Sequence, residues 1–339
     1  MNQAIRLSRL HGAKEAGRVL ALVEARARFT STSERIDVFD ALAWLDVRVV
    51  FKPLKGLLGA YLRGDQPGVL INTNRPLSVQ RFTAAHELGH AVMNHKPSLD
   101  SGDVLRRAAA NKSSRPVLGF ASYLQEIEAD SFAGEFLLPR WLLTFHARKQ
   151  GWAKSSLRTP QVAYQMSLRC GASYDATVRA FERNSFISEA ERDDLLSRTP
   201  KSVKTDLNHT KQNADSRADA WLLTKSDAGS SVTLSIGDTA TIKLRQEAGA
   251  GFLWKANPLP GKELSLMRTE IVVPGETVGG ASEKLFQFEA ECHGGTSAGF
   301  THARPWETDA IDTASFSFLI EDREKGLSRA NRKRMIQNL

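Results

Sequence analysis

The chain has 339 residues, 41% of them apolar and 25% charged, which is the balance of a soluble globular protein and more length than one ordinary domain uses. Two or three domains are expected. A formal net charge of +8, with an isoelectric point near 9.5, makes nucleic acid a partner class to weigh, while only two cysteines, Cys170 and Cys292, argue against a disulfide framework and an all-thiolate metal site.

The first thirty residues alternate Arg, Lys and Glu with Leu, Ala and Val, without the continuous apolar core of a signal peptide. No later run approaches a membrane-spanning length, so a cytoplasmic location is expected. From Arg81 to Val92, the residues Phe82, Ala85, Leu88, Ala91 and Val92 recur at near-helical spacing, and Asn94-His95-Lys96-Pro97 reads as the stop. Inside this helix lies His86-Glu87-Leu88-Gly89-His90. Two histidines four apart project from one helix face and can share one metal ion. Glu87 between them would stand beside a water activated there, in reach to act as general base.

Such a site needs a third protein ligand, and Glu126-Ile127-Glu128-Ala129-Asp130 supplies acidic candidates downstream. On a helix, Glu126 and Asp130 lie one turn apart on one side. Glu126 can then bind the ion while Asp130 takes the far N–H of a ligand imidazole and fixes its tautomer. Glu128 would point about 160° away around the axis and is the alternative ligand. His11, His95, His146 and the three histidines after residue 200 lack this context and read as structural or solvent-exposed.

The stretch Arg81–Val92, with Glu126-x-Glu128-Ala129-Asp130-x-Phe132-Ala133 and Phe136-Leu137-Leu138-Pro139, resembles the ImmA/IrrE family of intracellular zinc metallopeptidases. The resemblance covers roughly residues 35–195. It implies an N-terminal helix, short strands near Val47–Phe51, Leu57–Leu62 and Val69–Asn72, zinc held by His86, His90 and Glu126, and Glu87 as the catalytic base. Many members of that family carry Asn where this chain has Asp130. The resemblance also implies a regulatory protein as substrate, most directly a helix-turn-helix transcriptional repressor cut in response to stress or a mobile element. For the oxyanion formed on cleavage, the sequence shows no partner beyond the metal, since Arg81 and Tyr123 are near only along the chain.

Positive charge concentrates in Arg106, Arg107, Lys112 and Arg115, in Lys201 and Lys204, and in the tail Arg329, Arg332, Lys333 and Arg334. Between Pro160 and Leu196, Gln161–Met166 leads through Gly171-Ala172-Ser173 to Tyr174–Phe181, the outline of a helix-turn-helix with Ser173 as N-cap. Its second helix carries Arg179 and Arg183 but also Asp175 and Glu182, weak equipment for reading bases. A packing module that closes the peptidase domain is the favoured reading.

Residues 198–230, rich in Ser, Thr, Lys, Asn, Asp and Gly, read as a linker with little apolar periodicity beyond Trp221-Leu222-Leu223. From Ser231 the pattern alternates, with strands expected at Val232–Ile236, Ala240–Leu244, Phe252–Lys255, Leu264–Val272, Leu285–Ala290, Gly299–Ala303 and Ala314–Ile320. This spacing predicts a small antiparallel sandwich. Gly237-Asp238, Gly249-Ala250-Gly251-Phe252-Leu253-Trp254, Gly279-Gly280 ahead of Leu285–Phe288, and Arg304-Pro305-Trp306-Glu307 fall in the order of the chagasin family, which this part is similar to over roughly residues 230–322. Chagasins are immunoglobulin-like inhibitors of papain-type cysteine peptidases, and three loops at one end fill the peptidase cleft. The likeness implies recognition by Gly249, Gly251 and Phe252, by Gly279 and Gly280, and by Arg304, Pro305 and Trp306. The first loop has Glu247-Ala248-Gly249-Ala250 in place of the family's Asn-Pro-Thr-Thr.

The expected whole is a multidomain α+β chain: a zincin-like metallopeptidase domain at 1–150, a helix-turn-helix-like segment at 151–200, a linker at 201–230, a chagasin-like β-sandwich at 231–322 and a basic tail at 323–339. The expected activity is zinc-dependent cleavage of a protein, with the sandwich sensing or recruiting a peptide or protein. The alternatives are a binding protein that inhibits a papain-like peptidase, and a DNA-binding regulator acting through residues 160–196 and the tail.

Overall fold

The computed structural model describes residues 3–27, 34–64, 66–96, 99–101, 120–208, 217–273, 282–307 and 309–322. Among the described residues two compact units emerge, one from those up to Ala147 with Lys154–Leu196, the other from Arg148–Ala153 with those from Ser197 to 322.

The first unit opens with α1 (Gln3–Leu22) and α2 (Val38–Trp44), the latter started by Asp37, whose carboxylate accepts from the backbone N–H of Phe39 and Asp40. A mixed sheet follows: β1 (Arg48–Lys52), β2 (Leu57–Leu62), β3 (Gly68–Asn72) and β4 (Leu99–Ser101), in the order β1-β3-β2-β4. β1 runs parallel to β3, and β2 is antiparallel to both its neighbours. Buried Asn72 fastens the chain between β1 and β2, donating to the carbonyls of Leu54 and Leu57 and accepting from the N–H of Leu54 and Asn74. A side-chain amide can satisfy four backbone groups where no strand partner exists.

Helix α3 (Leu77–Val92) packs on β2 and on α4 (Phe120–Leu137), and residues Thr83–His90 are buried without interruption. Such a helix has no solvent face, which explains why its apolar residues surround the polar ones. α4 presents Ala129, Phe132, Ala133, Phe136 and Leu137 to the interior, the i, i+3, i+4, i+7 and i+8 stripe of an amphipathic helix. Each large side chain buried this way contributes about 1.5–3 kcal/mol. α1 crosses α4 where Gly12 meets the backbone of Glu128; a Cβ there would collide with that carbonyl.

Helices α5 (Arg140–Lys149), α6 (Pro160–Cys170), α7 (Tyr174–Arg183) and α8 (Glu189–Ser197) follow. The α6–α7 pair has the expected outline, with Gly171 left-handed at φ 64° and the Ser173 hydroxyl accepting from Ala176 N–H. Its arginines are engaged by neighbouring groups. Arg183 donates to the carbonyls of Gly134 and Leu138 at the end of α4 and meets Glu135 at 3.1 Å, while Arg179 pairs with Asp175 at 2.7 Å. Val178 and Phe181 are fully buried, so this helix seals the end of α4.

The second unit includes α9 (Pro200–Asn208) and eight strands: β5 (Ala220–Thr224), β6 (Ser231–Ser235), β7 (Thr239–Gln246), β8 (Leu253–Ala256), β9 (Leu264–Val272), β10 (Ser282–Ala290), β11 (Gly294–Ala303) and β12 (Asp312–Glu321). They form two four-stranded sheets, β5-β7-β10-β9 and β6-β12-β11-β8. One core joins them, with Ile242, Leu244, Trp254, Phe286, Phe288, Phe300, Phe316, Phe318 and Ile320 buried from both sides. The fold is mixed α+β with a C-terminal β-sandwich.

Two local expectations need correction. The stretch read as a linker at 201–230 holds α9 and β5 among its described residues. β5 is an edge strand, burying Ala220 and Leu223 but leaving Trp221, Leu222 and Thr224 half exposed, so its apolar signal is too short to stand out among polar neighbours. The sandwich is not wholly antiparallel either, because β5 pairs parallel with β7 and β6 parallel with β12. Strand direction depends on the connections, which alternation along one strand does not encode. The basic residues at 106–115, the tail at 323–339 and Gly279 and Gly280 lie outside the described residues.

Candidate functional site

The helical spacing of α3 brings His86 and His90 to one face, with their Nε2 atoms 3.0 Å apart. α4 runs alongside and supplies Glu126, whose carboxylate oxygens lie 3.3 Å from His86 Nε2 and 3.6 Å from His90 Nε2. The three donors all fall within 4.8 Å of one another. Bonds of about 2.0–2.1 Å in a tetrahedral arrangement place donor atoms about 3.3 Å apart, so the two imidazoles and one carboxylate fit a zinc-sized ion. The Glu126 side chain is 13% exposed, against 1% for each histidine.

Asp130, one turn on from Glu126, sits 2.9 Å from His86 Nδ1 and can hold that ring with Nε2 turned toward the cluster. Glu128 does not join the three donors. Its carboxylate instead meets His95 Nε2 at 2.9 Å and His11 Nδ1 at 3.4 Å. His95, read from sequence as lacking context, is buried, and its Nδ1 lies 2.9 Å from His90 Nδ1. The usable signal was in the helix stop. Asn94 adopts a left-handed φ of 53°, and His95 N–H returns to the carbonyl of His90, folding the next residue under the helix end.

Glu87 is fully buried on the same helix. Gly59 of β2 lies opposite it: a Cβ there would meet Glu87 Oε1 at 3.1 Å and the Leu70 carbonyl at 2.9 Å, and would collide with the Thr83 methyl. The glycine of β2 therefore makes the room in which this carboxylate sits. Arg81 takes no part in the cluster. Its guanidinium donates to the carbonyls of Ile36, Gly171 and Cys170, and burial pushes its pKa down to about 10, still charged at neutral pH. Tyr123 is half-buried on α4, one turn before Glu126.

Burial, reinforced by the neighbouring His86 and only partly opposed by Glu126, pushes the His90 pKa down to about 4. The ring is then neutral at physiological pH, which is the form that ligates metal. Burial alone would raise the Glu126 carboxyl, but hydrogen bonds from His86 and His90 outweigh it and hold the group below its usual range. Both directions give the form of each group that binds a metal, a neutral imidazole and an ionised carboxylate.

The second unit gathers another group. Ala303 pairs with Leu253 across β11 and β8, so the segments before β8 and after β11 emerge side by side. Arg304 donates to the Ala250 carbonyl at 3.0 Å and lies over the Phe252 ring at 4.4 Å. Gly251, at φ 83°, leaves space that Trp306 covers: a Cβ would be 3.1 Å from the indole. Trp306 is 73% exposed, while Gly249 and Pro305 are also exposed. Trp254 and Phe288, by contrast, are core.

Comparison with known proteins bears on both units. Residues 44–168 match the family model described as IrrE N-terminal-like domain, Peptidase_M78. Residues 233–320 match that of the Chagasin family peptidase inhibitor I42. Among curated proteins nothing matches. Similar solved structures include the cysteine protease inhibitor EhICP2 from Entamoeba histolytica, at 23% identity and TM-score 0.29 over 31% of this chain and 98% of that one. Amebosin follows at 19% identity and TM-score 0.27, covering 30% of this chain and 98% of that one. PbICP-C, solved in complex with falcipain-2, has 14% identity and TM-score 0.22, covering 33% of this chain and 95% of that one. The chain thus joins a segment matching the IrrE N-terminal-like domain of Peptidase_M78 to one matching the chagasin family of peptidase inhibitors.

Proposed function

We propose that the protein is a cytoplasmic zinc-dependent endopeptidase that cuts a regulatory protein, with residues 1–150 as its catalytic domain and the sandwich at 231–322 as its sensor or recruitment domain. The observation that carries this reading is the convergence of His86, His90 and Glu126, with buried Glu87 on the same helix, inside a segment matching Peptidase_M78. Bound zinc supplies Lewis acidity toward a peptide carbonyl and lowers the pKa of a water. His86 and His90 hold the ion through Nε2, Glu126 adds its carboxylate, and Asp130 orients His86. Glu87 takes the proton of the attacking water and delivers it to the leaving amine. A helix-turn-helix transcriptional repressor, cut in a stress or mobile-element response, is the substrate class that the likeness to the ImmA/IrrE family supports.

The arrangement of Gly249, Gly251 and Phe252 beside Arg304, Pro305 and exposed Trp306 favours a second role in recognising a protein. The match of residues 233–320 to the Chagasin family peptidase inhibitor model makes a papain-like peptidase the alternative partner. DNA binding through α7 has less support, because Arg179 and Arg183 are engaged within the unit.

The test compares new protein N-termini in cells carrying the wild type or Glu87→Gln, with and without DNA-damaging stress. A product that depends on Glu87 is expected, and it names the substrate. Identical profiles with zinc still bound would overturn the protease reading and leave the sandwich, as a binding module, to account for the protein.

A further inference from the structure

We infer that His95, backed by Glu128, is a positioning residue for the His90 imidazole, so that the metal centre extends through a second histidine to a carboxylate. The inference rests on the metal reading above. Its basis is a hydrogen-bond chain whose protons follow from its Glu128 end, with the Nε2 atoms of His86 and His90, 3.0 Å apart, both left to the ion. Two ring nitrogens, His90 Nδ1 and His95 Nδ1, lie 2.9 Å apart, and such a pair needs one donor and one acceptor. His95 Nε2 lies 2.9 Å from Glu128 Oε2. A carboxylate only accepts, so His95 carries its proton on Nε2 and, as a neutral ring, offers Nδ1 as the acceptor. His90 must then carry its proton on Nδ1. Its Nε2 lone pair is left facing Glu126 and His86, 3.6 Å and 3.0 Å away.

The rings are held as well as paired. His95 is 5% exposed and stands edge-on to His90, with centroids 4.9 Å apart and planes at 72°. His11 of α1 meets the other Glu128 oxygen at 3.4 Å, so Glu128 is met from α1 as well as from the turn after α3. The two ligands thereby receive different support: His86 faces the carboxylate of Asp130 directly, and His90 reaches Glu128 through a relay. Groups of this kind behind a ligand set its orientation and basicity, and their loss costs about 10–100-fold in metal affinity.

The test is zinc affinity of the full chain by chelator competition, with cobalt substitution reporting ligand geometry through its visible absorption. His95→Phe, which keeps the packing and removes the acceptor, should weaken zinc binding by about 10-fold or more and shift the cobalt spectrum. His95→Gln can accept and donate as the imidazole does and should restore most of the affinity. Glu128→Ala should weaken binding more than Glu128→Gln, which keeps an acceptor; this pair decides the matter if His95→Phe does not fold. Wild-type affinity and spectrum in both His95→Phe and Glu128→Ala would overturn the inference while leaving the metal centre standing. A wild-type chain that takes up no zinc would overturn both.

Discussion

Cys170 and Arg81 show how one buried contact couples α3 to its surroundings. Arg81 of α3 reaches the carbonyls at the end of α6, and Cys170 lies there fully buried. Burial pushes the Cys170 thiol up to about 12 from an ordinary value of 9.0, against the pull of Arg81 and Arg169. A raised acid pKa favours the protonated form in the folded state. Its stabilisation is complete below the unfolded value and is lost as pH rises through the folded one. Arg81, lowered to about 10, has the opposite sign, but only above that value. Between pH 9 and 10 the Cys170 effect therefore stands free of the Arg81 one. Urea unfolding of the wild type is expected to lose stability over that interval more steeply than Cys170→Ala; equal slopes would show that the thiol does not titrate differently on unfolding.

At the scale of elements, the site depends on how closely helices and strands approach. Gly12 allows α1 to touch the backbone of α4 at Glu128, and Gly59 allows β2 to lie against Glu87. Gly12→Ala inserts a methyl group against a backbone carbonyl that no rotamer change can relieve, an overpacking that costs about 1–3 kcal/mol. A lower thermal midpoint is expected, together with weaker zinc binding, because the displaced helix carries both Glu126 and Glu128. Gly17, on the same helix with open space beyond it, serves as the control: Gly17→Ala should leave the midpoint unchanged or raise it. A Gly12→Ala protein as stable as the wild type would show that the crossing is looser than the contact implies.

For the whole molecule, the sandwich has a core drawn entirely from its own strands, and the cluster of His86, His90 and Glu126 belongs to the other unit. A ligand stabilises only the unit that binds it, by about 2.7 kcal/mol at a hundredfold excess over its dissociation constant. Calorimetry should accordingly resolve two transitions, one raised by zinc and returned by a chelator, the other indifferent. A single transition that moves as one with zinc would contradict the separation. Among the described residues no helix is long and apolar enough to cross a membrane.

Much of the site was legible because helical geometry converts spacing into proximity. His86 and His90 share a face by their separation of four, and Glu126 and Asp130 by theirs, so these local pairs followed from the chain itself. The apolar alternation of β10 and β12 likewise marked the strands of the sandwich. Packing decided the rest. The crossing of α3 with α4 brings Glu126, already favoured over Glu128 by helical geometry, up to the two histidines, and only the left-handed turn at Asn94 could bring His95 behind His90. The inward commitment of Arg81 and Arg183 was equally invisible, since a cation's partner is set by elements distant in sequence. Sequence determined which residues could do the chemistry by fixing their local periodicity; tertiary structure decided which of them meet, because contacts between elements depend on crossing geometry that no local pattern records.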